Sequence, residues 1–424
     1  MFMKAQGDKF PRMVRLSQEL YNAPLGDEGV VATVEREFAR LDLAGKIGPG
    51  KKVALGAGSR GVASINLIIK TLVEQVKKLG GEPFVFPAMG SHGGGTAEGQ
   101  RGMLEALGVT EEYIGCPIRA TMEVVELGNS PSGLPVYLDK YASEADAIII
   151  TNRVKAHTNF RGHVESGLMK MLAIGAGKHT QAIAIHAHGV QGLRDYMPEV
   201  AREILKKAPI VAGFAVIEDA YHNASKIVGV APQDFERTEE RLLEEAKRVM
   251  PSLPVKELDL LIVEKMGKNI SGTGMDTNVI GRCRLIDFNA FPEPVIKCII
   301  TLDLTEETHG NATGVGLADL VTRRLADKID YQATYTNCIT GQGPAQAALP
   351  IVMDTDQDAV RIALDYLVGP VPLDQLRAIR IKDTLSLAEI EVSEALMREL
   401  QGRDGFSFGG ELKEMAFAED GTLL

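Results

Sequence analysis

The chain has 424 residues, too long for one ordinary hydrophobic core and long enough for two. Hydrophobic residues at 45% and charged residues at 24% are ordinary for a globular protein and argue against extensive disorder. A formal charge of −11 argues against nucleic acid or an anionic membrane as partner, since both demand clustered positive charge, but leaves room for a locally basic pocket that takes a small anion.

Taken in chain order, Met1–Asp8 has no apolar core after Lys4, and no later apolar run approaches the roughly 20 residues that span a bilayer, so a cytoplasmic protein is expected. The first clear unit is Lys51-Lys52-Val53-Ala54-Leu55-Gly56-Ala57-Gly58-Ser59-Arg60, a short apolar strand running into a glycine-rich turn. A helical pattern follows from Val62 to about Leu79, with Gly80-Gly81 as its stop. The segment Pro83–Pro87 reads as a second strand, ending in Gly90-Ser91-His92-Gly93-Gly94-Gly95-Thr96 before a helix near Ala97–Leu107. A third strand, Ala145–Thr151, empties into a long polar loop that begins at Asn152. A helix near Leu193–Lys207, a strand near Ile210–Ile217 and a charged amphipathic helix over Pro232–Val249 continue the pattern. Apolar, non-alternating strands joined by helices predict a parallel sheet covered on both faces. Ligands of such sheets bind beyond the carboxyl ends of the strands, so Arg60, His92 and the segment after Thr151 are expected to gather there.

Pro251-Ser252-Leu253-Pro254 reads as a linker. Beyond it, Leu258–Glu264 is again a strand, with further strands expected at Val295–Leu304 and Ala378–Ile381, helices at Leu317–Leu325 and Ala359–Leu367, and a short glycine-containing tail after Gly402. The fold class expected is therefore two α/β domains, over residues 1–254 and 255–424, with a mostly parallel sheet in the first and the active site in the cleft between them. Cys116, Cys283, Cys298 and Cys338 are scattered without any C-x-x-C pair, which reads as four buried or incidental thiols rather than a zinc or disulfide framework.

Five of the eight histidines, His157, His163, His179, His186 and His188, fall within Asn152–His188. A single loop histidine near a strand end often only bonds neighbouring backbone, but a set that follows the third of three converging strands is harder to dismiss. His186-Ala187-His188 would share a face in a strand and diverge in a helix.

These residues resemble the nickel-pincer-nucleotide lactate racemase family. Thr151–His157, followed by Glu165-Ser166-Gly167-Leu168-Met169-Lys170-Met171-Leu172-Ala173-Ile174-Gly175, is similar to that family's histidine loop, its lysine motif and the apolar turn after it. His186 stands sixteen positions after Lys170, the family's spacing between its cofactor-bearing lysine and its nickel-binding histidine. Gly90-Ser91-His92 with Thr96, and Ser59-Arg60, resemble two further family motifs, and all four occur in the family's order over about residues 50 to 190. The resemblance implies a nickel-pincer nucleotide joined to Lys170 through a thioamide, with His186 as nickel ligand. It also implies His92 and His157 as the acid/base pair, and Arg60 as the clamp on the carboxylate of a small 2-hydroxy acid. Histidine suits that exchange because it titrates near neutrality. Cofactor-biosynthesis enzymes would then be partners in maturation. Where the family has an acidic residue before its arginine this chain has Ala57, Gly93 replaces an arginine, and the loop before Lys170 is longer, which reshapes the pocket and makes His163 a rival to His157.

Lys268, in Gly267-Lys268-Asn269-Ile270-Ser271-Gly272, is a candidate to reach substrate or a cofactor phosphate from the second domain, although the segment is no P-loop because its lysine precedes the glycine-rich turn. The glycines at Gly56 and Gly58 lack the acidic partner that a dinucleotide loop needs at the end of the second strand. Two other classes remain open at this level. One is a hydrolase or lyase holding a divalent metal on His157, His163 and His186; the other is a non-catalytic nucleotide- or metal-carrying protein.

Overall fold

The computed structural model describes residues 9–58, 62–285 and 291–424. By internal contacts the chain divides into two compact units, Tyr21–Met250 and a second built from residues 1–20 together with Pro251–Leu424. The fold is α/β throughout.

Strand β1 (Arg12–Gln18) belongs to the second unit. The unit Tyr21–Met250 contains β2 (Lys52–Ala57), β3 (Glu82–Pro87), β4 (Val124–Asn129), β5 (Pro135–Asp139), β6 (Ala147–Arg153), β7 (Ile210–Glu218) and β8 (Ala224–Val230). Five of these form one sheet in the order β3-β2-β6-β7-β8. The first four run parallel, as their unbroken apolar sequences predict, and β8 is an antiparallel edge. Ala57 is in register with both Pro87 and Thr151, so β2, β3 and β6 end on one line. The helix Ile65–Lys78 buries Ile65, Ile68, Ile69, Leu72, Val73 and Val76, a helical periodicity, and stops where Gly80 takes a φ of 84°. The strands β4 and β5 form a separate two-stranded ribbon that composition alone does not reveal.

The second unit adds β9 (Glu257–Met266), β10 (Val295–Leu304), β11 (Leu320–Thr322), β12 (Ile351–Met353), β13 (Ala378–Ile381), β14 (Glu389–Ser393) and β15 (Phe406–Glu414). They form an eight-stranded sheet in the order β12-β11-β10-β9-β13-β14-β1-β15. Its β12-to-β13 half is parallel, and β14, β1 and β15 close it with antiparallel pairs.

Three expectations differ from this architecture. Residues 1–20, read as part of the first domain, cluster with the second unit because β1 pairs between β14 and β15. Instead of a continuous helix over Leu317–Leu325, residues Leu320–Thr322 are a buried parallel strand beside β10, with helix only over Arg323–Ala326. Three fully enclosed residues are too few for a period to show. The tail after Gly402 holds β15, which is exposed on much of its surface and so lacks an apolar signature. All four cysteines are buried. Among the described residues no helix is long and apolar enough to cross a membrane.

Candidate functional site

The common end of β2, β3 and β6 is where the unusual residues of the first unit collect. Gly58 follows β2 and packs closely against the residue after Lys170: a Cβ there would lie 2.9 Å from Met171 Cε and 3.3 Å from Asn152 Oδ1. The loop after β3 closes on the same segment. Gly90 donates its N–H to Gly175 O at 3.1 Å, and its φ of 59° is open to glycine at little cost. His92 stands two residues further on, half-buried, with its N–H on Met89 O at 3.1 Å.

Lys170 ends a single α-helical turn, Leu168–Lys170, which widens into the π-helical turn Met171–Gly175. Every residue of that π turn is buried. Such bulges interrupt the regular ladder and recur at functional sites. The chain then enters the helix Lys178–His186, so His186 is its last residue. His186 and His188 accordingly diverge: His188 is exposed, with its ring edge-on to Tyr196 at 5.1 Å.

Lys170, His157 and His186 share one electrostatic neighbourhood. Burial, and then the Lys170 ammonium, push His186 down to about 4. Burial pushes His157 well below the usual histidine range, with Lys170, His186, Lys155 and Arg161 adding to it. Both imidazoles are therefore neutral at physiological pH. The Asn159 N–H donates to His157 Nδ1 at 3.0 Å; because a backbone N–H can only donate, the neutral ring carries its hydrogen on Nε2. The same loop is held by Glu165, a fully buried carboxylate that accepts the His157 N–H at 2.6 Å and lies 3.1 Å from Lys247 Nζ. The His157 ring packs on Phe160 at 4.5 Å between centroids.

His163 has a different environment. Its Nε2 lies 2.7 Å from Glu236 Oε1, a carboxylate that Arg202 also binds and that the hydrogen bonds from Arg202 and His163 hold down at about 2. The ring is 41% exposed.

Sequence reading missed the groups that hold these loops. Lys178, three residues after the π turn, is fully buried at a φ of 59° and lies 3.1 Å from the equally buried Asp139. Its Nζ also donates to Gln100 Oε1 at 3.0 Å and to Pro87 O. Gln100 in turn donates to Gly90 O at 2.9 Å and His92 O at 3.3 Å. One buried charge thus ties the end of β3, the His92 loop and the helix that ends at His186. Burial lowers the Lys178 ammonium and raises the Asp139 carboxyl, and their mutual attraction opposes both shifts. No local signal marks Asp139, Gln100, Glu165 or Lys178, because each partner is distant or unremarkable in sequence.

Arg60 lies outside the described residues. Lys268 lies in the second unit, where its Nζ donates to Gly272 O at 2.9 Å and Asn337 Oδ1 at 3.0 Å, closing its own loop.

Residues 43–194 match the model of the lactate racemase N-terminal domain. Among solved structures, the lactate racemase apoprotein from Thermoanaerobacterium thermosaccharolyticum is similar in fold, with 15% identity, a TM-score of 0.50, and coverage of 82% of this chain and 81% of that one. A Thermotoga maritima protein matches at 14% identity and a TM-score of 0.49, over 78% of this chain and 83% of that one. No curated protein matches the chain.

Proposed function

Because the chain is lactate racemase-like and carries that family's N-terminal domain over residues 43–194, we propose that it is an isomerase that inverts the stereocentre of a small 2-hydroxy acid. The observation that supports the reading is the shared electrostatic neighbourhood of Lys170, His186 and His157, one amine acting on two neutral imidazoles.

The residues fit a nickel-pincer nucleotide by the chemistry of the donor set. Lys170 offers an amine for covalent attachment, and His186, neutral down to about pH 4, offers an imidazole lone pair to the metal without proton competition. When bound, that group supplies a hydride acceptor and donor. The protein's own residues then handle the substrate. Arg60 grips the carboxylate through a planar fork. His92 and His157 exchange the hydroxyl proton on the two faces of the substrate. With hydrogen on Nε2, His157 is set to donate to a keto oxygen, as a neutral imidazole can. To take the hydroxyl proton at Nε2 it must shift its hydrogen to Nδ1 and release the Asn159 N–H.

A divalent-metal hydrolase built on His157, His163 and His186 fits less well, because His163 already pairs with Glu236, a carboxylate that Arg202 also holds. Intact-mass and metal analysis of protein produced with the cofactor-building enzymes tests the choice. Nickel together with a mass increment on Lys170, lost in Lys170→Ala, supports the proposal; zinc without an adduct contradicts it. Racemisation in D2O adds a mechanistic check, since hydride return leaves C2 free of solvent deuterium whereas proton abstraction introduces it.

A further inference from the structure

Glu239 lies on the helix Phe235–Val249, beyond the span that matches the family model, and is 1% exposed. Its carboxylate reaches across to the turn that carries Lys170. Oε2 accepts the Met169 N–H at 2.8 Å, and the Leu168 N–H is a second backbone group that favours the ionised form. A Cβ on Gly167 would come within 2.3 Å of Glu239 Cδ, so the carboxylate seats against bare backbone. From the other side Asn152 Nδ2 donates to Gly167 O at 2.9 Å. The Gly167–Met169 turn is therefore pinned between the end of β6 and a helix more than sixty residues away in sequence. Glu239 Oε1 is buried with no hydrogen-bond partner, so the group is held at an appreciable desolvation cost.

Resting on the reading of Lys170 as the attachment lysine, we propose that Glu239 is a positioning residue, fixing the backbone from which Lys170 projects and placing a negative charge beside its amine. The hydrogen bond from the Met169 N–H and the close approach of Gly167 fix the geometry of the turn that carries Lys170, and the attraction between Lys170 and the Glu239 carboxylate is consistent with it. Burial raises the Glu239 carboxyl to about 7, so it is ionised at the alkaline pH where an amine titrates. An ammonium beside a carboxylate is harder to deprotonate, and a fixed turn limits the directions in which the amine can be offered.

The test uses full-length wild type, Glu239→Gln and Glu239→Ala. In each apoprotein, hydrogen exchange at the Met169 amide and the pH midpoint of Lys170 acylation by an N-hydroxysuccinimide ester, mapped by peptide mass, are measured. Each is then matured with the cofactor-building enzymes and its Lys170 adduct quantified. Glu239→Gln is expected to keep Met169 protected, because the amide oxygen still accepts, while the Lys170 midpoint moves to lower pH. Glu239→Ala is expected to exchange Met169 about tenfold faster or more and to lose most of the adduct. A helix cap with no bearing on Lys170 would not move the acylation midpoint, so an unchanged midpoint in both variants overturns the proposal. Wild-type protection of Met169 in Glu239→Ala overturns it as well. If Glu239→Ala does not fold, the midpoint in Glu239→Gln decides. If wild type itself takes no adduct, the cofactor reading fails, and exchange and acylation still decide the role of Glu239.

Discussion

His157 keeps its Nδ1 on the Asn159 N–H and its own N–H on Glu165, while His163, six residues later, is turned outward to Glu236. Sequence alone leaves the two as rivals, because both occupy the same polar loop and only the partner carboxylates, Glu165 and Glu236, distinguish them. In the structure His157 shares the field of Lys170 and His186, and His163 lies against Glu236 at 2.7 Å. His157→Ala is therefore expected to lower kcat/KM on the order of a hundredfold to ten-thousandfold, the usual cost of a general acid or base, and His163→Ala by only a few-fold. Chiral chromatography of both reactions checks this, and the opposite ranking would reassign the role. The lowered His157 also bears on stability. The unfolded chain binds a proton near 6.5 that the folded chain refuses, so the stability associated with His157 is intact above 6.5 and falls as pH drops below it. Denaturant midpoints of wild type and His157→Gln should converge as pH falls from neutrality to about 5, because the glutamine variant lacks that proton-linked loss. Parallel curves would mean that the ring is not held neutral.

Among elements, the parallel strands of the first unit were legible because full burial gives them continuous apolar runs between glycine-rich turns. The helix Phe235–Val249 was legible only as a charged amphipathic helix. Its buried Glu239, and Lys247 reaching Glu165, look in sequence like the solvated face of any surface helix. Their meaning appears only when the helix packs on the Lys170 turn. The same holds for Lys178, whose partner Asp139 sits on the β4–β5 ribbon that no periodicity announced. Gly167 offers the cleanest test at this scale. Its backbone is extended, with a φ of −173°, so any residue can adopt it and only space forbids one. Gly167→Ala should cost about 1–3 kcal/mol through overpacking against Glu239, read as a lowered Tm, and adding Glu239→Ala should recover part of that loss. An unaltered Tm would show that the carboxylate can move aside without penalty.

At the level of the whole molecule, composition indicated two α/β units and placed the linker near Pro251, but it did not show that the chain begins in the second unit. A seven-residue strand at the N-terminus can join either sheet, and which one it joins is set by edges formed more than 370 residues later, at β14 and β15. Leu16 is fully buried in a cluster with Leu253, Leu258, Leu261 and Ile390. Leu16→Ala is expected to cost about 2–5 kcal/mol and to lower the unfolding transition of the unit formed by residues 1–20 and 251–424. Domain-resolved hydrogen exchange distinguishes this from a loss in Tyr21–Met250, which would contradict the assignment of β1.

Incubation of protein carrying nickel and the Lys170 adduct with single enantiomers of a panel of 2-hydroxy acids, followed by chiral chromatography, tests the central claim most directly. For at least one acid, either enantiomer should run to the same mixture, and Lys170→Ala should stop it. Retention of both pure enantiomers of every acid by fully loaded protein would contradict the assignment as a 2-hydroxy acid racemase.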